Sequence, residues 1–416
     1  MKILLLGASG FIGKSIYQKL IHCNHSVTLG IRTPIDATHI LCDFAHDSSI
    51  ALWQERVKGF DMVINAVGII AQDGNNTFQA LHTNTPKALF QACEDMGVKR
   101  VIHISALGAD QDAKTPYHQS KYQADAFLKS LDLEYIILKP SIVYGEEGKS
   151  TALFKALANL PILPIVDDGS QKLQPIHIDD LVATVIQAIQ TPKSNFELSL
   201  VGDKPITYKV LLEKFRLWLG KKPTVSIKIP ESLASMGKIL DEPTISKDNL
   251  TMLKMGNADN VTPLKDFLGY MPKSMEESIF ATPATKSQKL LSDFYFIRPL
   301  LRIIIAFVWI WSGIVSAFLY PQEGALILLS DVGIHGVLAV PTLYLASFLD
   351  ISIGLLILFG FRVLQLLWLS IVVIVGYTLI LTLLAPQHWL HPFGPVLKNL
   401  PLLVSIYVAI ILERTK

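Results

Sequence analysis

Short apolar runs alternate with longer amphipathic segments over the first part of the chain. Five runs predict strands, at Ile3–Leu6, Val27–Ile31, Met62–Ile64, Val101–Ile104 and Tyr135–Leu138. The segments between them predict helices, among them Phe11–His22, Phe78–Met96 and Tyr117–Leu131. Continuously apolar strands that alternate with helices are typical of a parallel sheet covered on both faces. The pattern therefore predicts an α/β domain of the Rossmann, doubly wound type.

A second pattern begins near Leu300. Four apolar stretches follow, at Ile303–Leu319, Val337–Leu358, Val363–Leu384 and Val396–Leu412. Each has about the 17–25 residues needed to span a bilayer, and none shows the amphipathic face of a soluble helix. We therefore expect the α/β domain at 1–280, a linker at 281–298 and an all-α, four-span transmembrane bundle at 299–416.

Composition supports this division. Only 17% of all residues are charged, and nine of those charges lie from Leu300 onward. The net charge of +2 provides no strong field for nucleic acid. The three cysteines and the histidines outside the motifs, His103 included, lack metal-ligand spacing, so we expect no metal site and interpret these histidines as loop or surface residues.

Charges at the ends of the apolar stretches predict their orientation. Arg298 and Arg302 precede the first stretch, Arg362 lies between the second and third, and Arg414 and Lys416 follow the fourth. The 320–336 and 385–395 loops contain neither lysine nor arginine. By the positive-inside rule, we expect both termini and the α/β domain to be cytosolic. The sequence thus predicts a multi-pass protein of the inner (plasma) membrane.

A glycine motif directly follows the first predicted strand. It reads Gly7-Ala-Ser9-Gly10-Phe11-Ile12-Gly13 and opens the first predicted helix. Gly7 allows a tight turn, Gly10 allows the backbone to approach a pyrophosphate, and Gly13 allows the helix to pack closely on the strand. The N–H groups at the start of the helix complete a predicted dinucleotide site formed by this segment.

The end of the second predicted strand bears on the choice of nucleotide. NAD-specific sites usually place an acidic residue there, for the ribose 2′-hydroxyl. Here the strand ends in Gly30-Ile-Arg32-Thr33, without a carboxylate. Because Arg32 could pair with a 2′-phosphate, the sequence favours NADP(H) over NAD, with an exposed loop residue as the alternative interpretation of Arg32.

Two tyrosine–lysine pairs are four residues apart, and only one of them can place its two side chains next to each other. Tyr135 and Lys139 lie in a predicted strand, where residues four apart are about 13 Å distant. Tyr117 and Lys121 lie in a predicted helix, where such residues are neighbours. The alternative interpretation of this pair is an ordinary amphipathic helix start.

Together these segments resemble the short-chain dehydrogenase/reductase superfamily in its extended and atypical branch, which includes a nucleotide-binding accessory subunit of respiratory complex I. The resemblance covers about 1–280 and implies a small substrate subdomain after the Rossmann sheet. It implies that Tyr117 is a general acid/base and that Lys121 lowers the pKa of Tyr117 and holds the nicotinamide ribose. Further residues that match family positions are Asp43 near adenine, the loop Asn65, Ala66, Val67 and Gly68, the helix residue Asn84, Pro140 in Pro140-Ser-Ile-Val-Tyr144-Gly145, and the segment Gln174–Asp180.

One family position departs from the pattern. Extended members carry a substrate-orienting hydroxyl about two positions after Ser105, where this chain has Leu107. Ser105 is the candidate substitute. Three functions remain open: a membrane-anchored NAD(P)-dependent oxidoreductase acting on an unidentified carbonyl or hydroxyl substrate, a non-catalytic nucleotide-binding sensor or assembly subunit, and a nucleotide-sugar epimerase-like isomerase.

The C-terminal part resembles the DoxX-like membrane family in its four-span layout and in the segment His391-Pro-Phe-Gly-Pro-Val-Leu-Lys-Asn-Leu400. This resemblance implies proximity to a quinone or another membrane redox partner within the lipid bilayer. Asp350 is the one carboxylate in an apolar stretch. Because ionisable groups in a membrane are costly, we interpret it as a proton or quinone-type site, with helix packing against Ser347, Ser352 or Tyr344 as the alternative.

Overall fold

The computed structural model describes residues 1–36, 38–230 and 245–414. The described residues form two compact units, one up to residue 292 and one from 293. The boundary therefore falls inside the predicted linker at 281–298.

The first unit contains all the strands found in the described residues. They are β1 (Lys2–Leu6), β2 (Ser26–Ile31), β3 (His39–Leu41), β4 (Met62–Asn65), β5 (Arg100–Ile104), β6 (Glu134–Pro140), β7 (Val143–Tyr144), β8 (Leu163–Ile165), β9 (Lys172–Leu173), β10 (Ile176–His177), β11 (Phe196–Leu200), β12 (Ile206–Thr207) and β13 (Ser226–Lys228). Seven of them form one parallel sheet in the order β3-β2-β1-β4-β5-β6-β11. This arrangement confirms the predicted doubly wound Rossmann sheet.

The helices of this unit cover both faces of the sheet. They are α1 (Phe11–His22), α2 (Ile50–Val57), α3 (Thr85–Asp95), α4 (Pro116–Lys129), α5 (Lys149–Asn159), α6 (Ile178–Gln190), α7 (Tyr208–Trp218), α8 (Lys247–Met255), α9 (Thr262–Leu268) and α10 (Met275–Phe280). Ile3 and Leu5 pack with α1 and α6, whereas Leu4 and Leu6 pack with α2, α3 and α4. All four side chains are fully buried, because successive residues of a strand point to opposite faces.

A small lobe follows the sheet. It contains the short strand pairs β7–β10, β8–β13 and β9–β12, and Leu163, Leu173 and Phe215 belong to its buried core. The resemblance implied a substrate subdomain in this part of the chain, and the lobe is present there.

The predicted helix Phe78–Met96 is not uniform. Residues Gln79–Asn84 form a π-helical turn, and the regular helix α3 begins at Thr85. Pro86 has no N–H to donate to the preceding turn and its ring crowds that turn, which explains the widening. The wider turn changes which side chains point toward the sheet.

The second unit is helical throughout its described residues. Its helices are α11 (Lys286–Phe294, which begins within the first unit), α12 (Ile297–Ile314, continued by a π-helical turn Val315–Leu319), α13 (Gln322–Asp331), α14 (Ala339–Leu358), α15 (Val363–Leu384) and α16 (Asn399–Arg414). Among the described residues, three helices are long and apolar enough to cross a membrane: Lys286–Leu319, Gly336–Leu358 and Val363–Leu384.

The fourth predicted span is shorter than expected. Helix α16 has 16 residues and starts at Asn399, because Val396–Lys398 belong to a turn that follows Pro395. At about 1.5 Å per residue, the helix is roughly 24 Å long, less than the ~30 Å hydrocarbon core of a bilayer. The sequence predicted an outer loop at 320–336, but this segment contains the helix α13.

Glycines bring α12 and α14 close together. A Cβ at Gly313 would lie 2.5 Å from the Ser347 carbonyl oxygen, and one at Gly354 would lie 2.7 Å from the Ala306 carbonyl oxygen. Asp350, between these contacts along α14, is 8% exposed. Its carboxylate accepts a hydrogen bond from the Ser312 hydroxyl at 3.3 Å, whereas the Ser347 hydroxyl donates to Leu343. The packing partner of Asp350 is thus Ser312, which differs from the predicted candidates.

Because α16 is shorter than a typical membrane-spanning helix, the location of the C-terminus tests whether α16 crosses the membrane. We expect a reporter fused after residue 416 to be cytosolic and one inserted at 332–336 to be external, because Arg414 and Lys416 favour the cytosol. Paired alkaline phosphatase and fluorescent-protein fusions in intact cells measure this. If only the three longer helices cross, a C-terminal reporter will lie on the opposite side from the N-terminus.

Candidate cofactor and catalytic site

The glycine motif forms a tight junction between β1 and α1. Gly7 has a φ of +84°, and a Cβ there would lie 2.7 Å from the carbonyl carbon of Ala66. A Cβ at Gly13 would lie 2.1 Å from the Gly7 carbonyl oxygen. Gly10 is exposed, and its nearest such contact is an ordinary 3.4 Å. Gly7 and Gly13 are therefore required by packing, whereas Gly10 leaves backbone accessible to a ligand.

The start of α1 has the features of an anion site. Gly10 is its N-cap, and no side chain caps the helix. Ser9 is exposed, and Phe11 and Ile12 are half-buried. A Cβ at Gly145 would lie 2.8 Å from the Phe11 ring. The open N–H groups beside Gly10 fit the pyrophosphate of a dinucleotide.

Arg32 and Asp43 follow the two outer strands β2 and β3. Arg32 is exposed. The Asp43 carboxylate bonds to the His46 ring at 2.7 Å and accepts from the Ala45 N–H at 3.1 Å. The His46 bond, with a smaller contribution from the charge of Arg32, holds the pKa of Asp43 below its ordinary value. The two predicted residues thus lie close enough to interact electrostatically.

The loop after β4 is held by its own asparagine. The Asn65 side-chain oxygen accepts from the Val67 N–H at 3.1 Å, and Asn65 is 1% exposed. The Ala66 N–H donates to the Leu6 carbonyl. Gly68 is exposed, and a Cβ there would lie 3.3 Å from the Lys121 ammonium nitrogen. The predicted loop therefore meets Lys121.

Lys121 is buried at the carboxyl ends of two central strands. It is 3% exposed, and its ammonium donates to the Ile104 carbonyl at 3.0 Å and the Val67 carbonyl at 3.3 Å. Burial lowers the pKa of Lys121 to about 8, and the charge of Asp125 opposes this shift. The ammonium thus lies between the predicted loop after β4 and the end of β5.

Tyr117 lies one turn before Lys121 on α4. Its ring makes edge contacts with Phe78 at 5.7 Å and His82 at 5.4 Å between centroids. Burial, aided by Asp125, raises the pKa of Tyr117 to about 12. This direction is opposite to the one that the family resemblance implied, because the loss of hydration on burial dominates and the charge of Asp125 adds to it.

His82 is a site residue that sequence reasoning missed. It is 1% exposed, and its Nε2 accepts from the Ile69 N–H at 3.0 Å. Because a backbone N–H can only donate, the ring proton is on Nδ1, which faces the Ser120 hydroxyl at 3.0 Å. Burial, with the charge of Lys121, lowers the pKa of His82 well below its ordinary value. His82 is therefore a neutral link between the loop after β4 and α4.

Three other predicted residues lie as follows. Asn84 is exposed at the end of the π-helical turn and accepts from the Gln79 amide at 2.8 Å. Ser105 is buried, and its hydroxyl donates to the Asp125 carboxylate at 2.6 Å. Pro140 is buried at the end of β6, and its carbonyl accepts from the Leu107 N–H. The structure thus brings Tyr117, Lys121 and His82 together. Asn84 instead bonds to Gln79 in its own turn, and Ser105 bonds to the buried Asp125.

An open groove adjoins the start of α4. Its volume is about 490 Å³, and its walls include Leu107 and His118 on one side and Lys172 and residues 254–259 on the other. The groove lies between the sheet and the small lobe, next to the residue that follows Tyr117. It is the candidate substrate entrance.

Comparisons with known proteins identify two related families. The sequence model of the NAD dependent epimerase/dehydratase family matches residues 3–200, and that of the DoxX-like family matches residues 306–407. The chain is 26% identical over 199 residues to the NADH dehydrogenase [ubiquinone] 1 alpha subcomplex subunit 9 of Mus musculus, spanning 45% of this chain and 53% of that one. It is 23% identical to a ceramide reductase of Caulobacter vibrioides, over 58% of this chain and 77% of the reductase.

Solved structures share the fold. An NADPH-dependent quinone oxidoreductase from Escherichia coli, complexed with NADPH, has a TM-score of 0.55 at 16% identity, covering 68% of this chain and 99% of that one. A UDP-glucose 4-epimerase from Thermotoga maritima has a TM-score of 0.52 at 19% identity, covering 72% and 100%. Fold and site thus define an NAD(P)-binding Rossmann domain of the short-chain dehydrogenase/reductase type. In sequence, the N-terminal part of the chain is similar to the NAD dependent epimerase/dehydratase family and the C-terminal part to the DoxX-like family.

The different packing of the glycines yields a paired test. We expect Gly10→Ala to fold with a thermal midpoint near that of the wild type but to lose NAD(P)H affinity, because its Cβ makes only an ordinary 3.4 Å contact with the protein and occupies space where phosphate would approach. Gly13→Ala should fail to fold, because its Cβ would overlap the Gly7 carbonyl. Differential scanning fluorimetry and cofactor fluorescence titration separate the two effects. A stable Gly13→Ala protein would contradict the geometry.

Proposed function

We propose that this protein is a membrane-anchored NAD(P)(H)-dependent oxidoreductase that interconverts a carbonyl and a hydroxyl group on a substrate still to be identified. The observation that carries the proposal is the placement of Lys121. Its ammonium lies between the carbonyl oxygens of Val67 and Ile104 at the strand ends, with Tyr117 one turn away. A buried cation there suits the hydroxyls of a nicotinamide ribose.

Tyr117 and Lys121 have different roles at the proposed site. A bound nicotinamide would supply the hydride. Because its pKa is raised to about 12, the Tyr117 hydroxyl is protonated near neutral pH and can donate a proton to a substrate oxygen. Among the described residues it makes no hydrogen bond that would compete with a substrate. Lys121 and His82 bond to the loop after β4, and His82 also contacts the Tyr117 ring. Together they position the Tyr117 hydroxyl.

NADP(H) is the proposed cofactor. The support is Arg32, which is exposed directly after β2, and the absence of a carboxylate in the last residues of that strand. A guanidinium at this position can bind a 2′-phosphate with paired hydrogen bonds. The E. coli quinone oxidoreductase of the same fold binds NADPH.

We further propose that the helical unit anchors the enzyme in the inner membrane with both termini cytosolic, and that a quinone or another membrane redox partner meets it there. The match to the DoxX-like family and the buried carboxylate of Asp350 support this assignment. The apolar helices make the bilayer itself a partner.

A non-catalytic nucleotide-binding subunit is the second candidate. Two observations favour it: Leu107 replaces the expected hydroxyl, and the Ser105 hydroxyl is engaged with Asp125. The relative in Mus musculus is a subunit of a larger assembly by its name. An epimerase-like isomerase shares the Tyr–Lys pair and would differ by retaining its cofactor through purification.

Tyr117→Phe tests the chemistry. We expect NADPH oxidation by the detergent-solubilised protein, followed with a panel of carbonyl and quinone substrates, to fall by about 10²–10⁴ while NADPH affinity is retained, because only the acid/base proton is lost. Lys121→Ala should weaken both. If Tyr117→Phe supports full cellular function while Gly10→Val abolishes it, the protein needs its nucleotide without the chemistry.

Arg32→Ala tests the cofactor preference. The wild type should bind NADPH at least about tenfold tighter than NADH, a difference of ~1.4 kcal/mol, and the variant should lose most of that difference because it loses the phosphate partner. Calorimetric titration of both cofactors measures it. Lys58→Ala, at an exposed lysine between α2 and β4, is the control, and equal wild-type affinities for the two cofactors would exclude the preference.

A further inference from the structure

A buried polar network lies beneath the candidate site, centred on Asp125. This residue follows Lys121 by one turn on α4 and is completely buried. One carboxylate oxygen accepts from the Ser105 hydroxyl at 2.6 Å. The other lies 3.5 Å from Nε2 of His103. His103 is 1% exposed, so the prediction that it lies in a loop or on the surface was wrong. Lys139 approaches the carboxylate to 3.9 Å.

The hydrogen bonds fix the direction of the network. Because the Asn65 oxygen accepts from the Val67 N–H, the Asn65 amide nitrogen faces His103 Nδ1, at 3.3 Å. An amide nitrogen donates, so His103 Nδ1 accepts. The Nε2 of His103 contacts the Asp125 carboxylate at 3.5 Å without making a hydrogen bond, so His103 packs between the loop after β4 and α4.

The lysines near Asp125 do not all have the same acidic partner. Lys139 bonds to Glu197 at 2.7 Å, and Lys129 also pairs with Glu197. Asp125 is the acidic group whose charge acts on Lys121 among the described residues. The other titratable groups around the pair are Tyr117, Lys129, Lys139, His82 and His103, and burial lowers the pKa values of both histidines well below the ordinary range. Burial raises the pKa of Asp125 to about 6, while the Ser105 hydroxyl and the nearby lysines oppose this shift. Asp125 is therefore a counter-ion that Lys121 shares with Lys139.

We propose that Asp125 is a positioning residue: its carboxylate, one turn after Lys121 on α4, keeps that side chain a cation at the strand ends. The inference rests on the proposed function, because it assigns Lys121 to cofactor binding. The Ser105 hydroxyl then serves to hold the Asp125 carboxylate in its ionised form.

The proposal predicts a pH effect with a definite sign. Burial lowers the pKa of Lys121 to about 8 and the Asp125 charge raises it, so the ammonium is present at low pH and lost as pH rises through that value. Asp125→Asn keeps the side-chain shape and removes the charge. The pH above which Lys121 loses its proton should therefore move down.

The experiment is a fluorescence titration of the full-length protein in detergent with NADPH at several pH values. We expect wild-type affinity to decline above about pH 8 and the decline in Asp125→Asn to begin at least about one pH unit lower, a tenfold change in proton affinity. Lys121→Met should bind weakly without this pH dependence, which assigns the decline to Lys121. Asp132→Asn, at an exposed carboxylate beyond α4, should match the wild type.

Ser105→Ala is a second, milder variant, should Asp125→Asn fail to fold. Loss of the hydroxyl raises the pKa of Asp125 and should move the decline in the same direction by a smaller amount. Equal loss of affinity at every pH would reveal a purely structural role and overturn the inference, as would an unmoved decline in a folded Asp125→Asn or Ser105→Ala. A protein that binds NADPH with the expected shift yet tolerates Tyr117→Phe would refute the enzymatic proposal alone, whereas absence of NADPH binding would overturn both.

Discussion

The approach of Gly13 to the Gly7 carbonyl is the contact on which the site depends. No side chain fits there, since a Cβ at Gly13 would lie 2.1 Å from that oxygen. The contact fixes the start of α1 at the end of β1, and Ala66 closes on Gly7 from the neighbouring strand β4. Because parallel strands present their carboxyl ends at one edge, the same edge also receives Lys121 from α4.

Much of the sheet could be predicted because its strands are continuously apolar. The runs at Ile3–Leu6 and Val101–Ile104 match β1 and β5 to within one residue at each end. The three-residue strand β3 could not be predicted in the same way, since its residues are partly exposed and its pairing with β2 is a tertiary contact. Such strands have no pattern of their own.

The arrangement of the candidate site was predictable where it depends on local spacing and not where it depends on distant contacts. The four-residue spacing on a helix identified Tyr117 and Lys121 as neighbours. The partners of Lys121 are 17 and 54 residues away, and no periodicity reveals them. His82, not Asn84, turns toward Lys121 because a π-helical turn precedes Pro86, and a regular helix was the expectation.

Burial acts in opposite directions on the two principal side chains. It raises the pKa of Tyr117 to about 12 and lowers that of Lys121 to about 8, since each group loses the hydration of its charged form. As pH rises, Lys121 therefore loses its proton before Tyr117 does. Tyr117 therefore remains protonated over the whole range in which Lys121 is a cation. The charge of Asp125 acts in the same direction on both groups, since it keeps Lys121 a cation and Tyr117 protonated to higher pH.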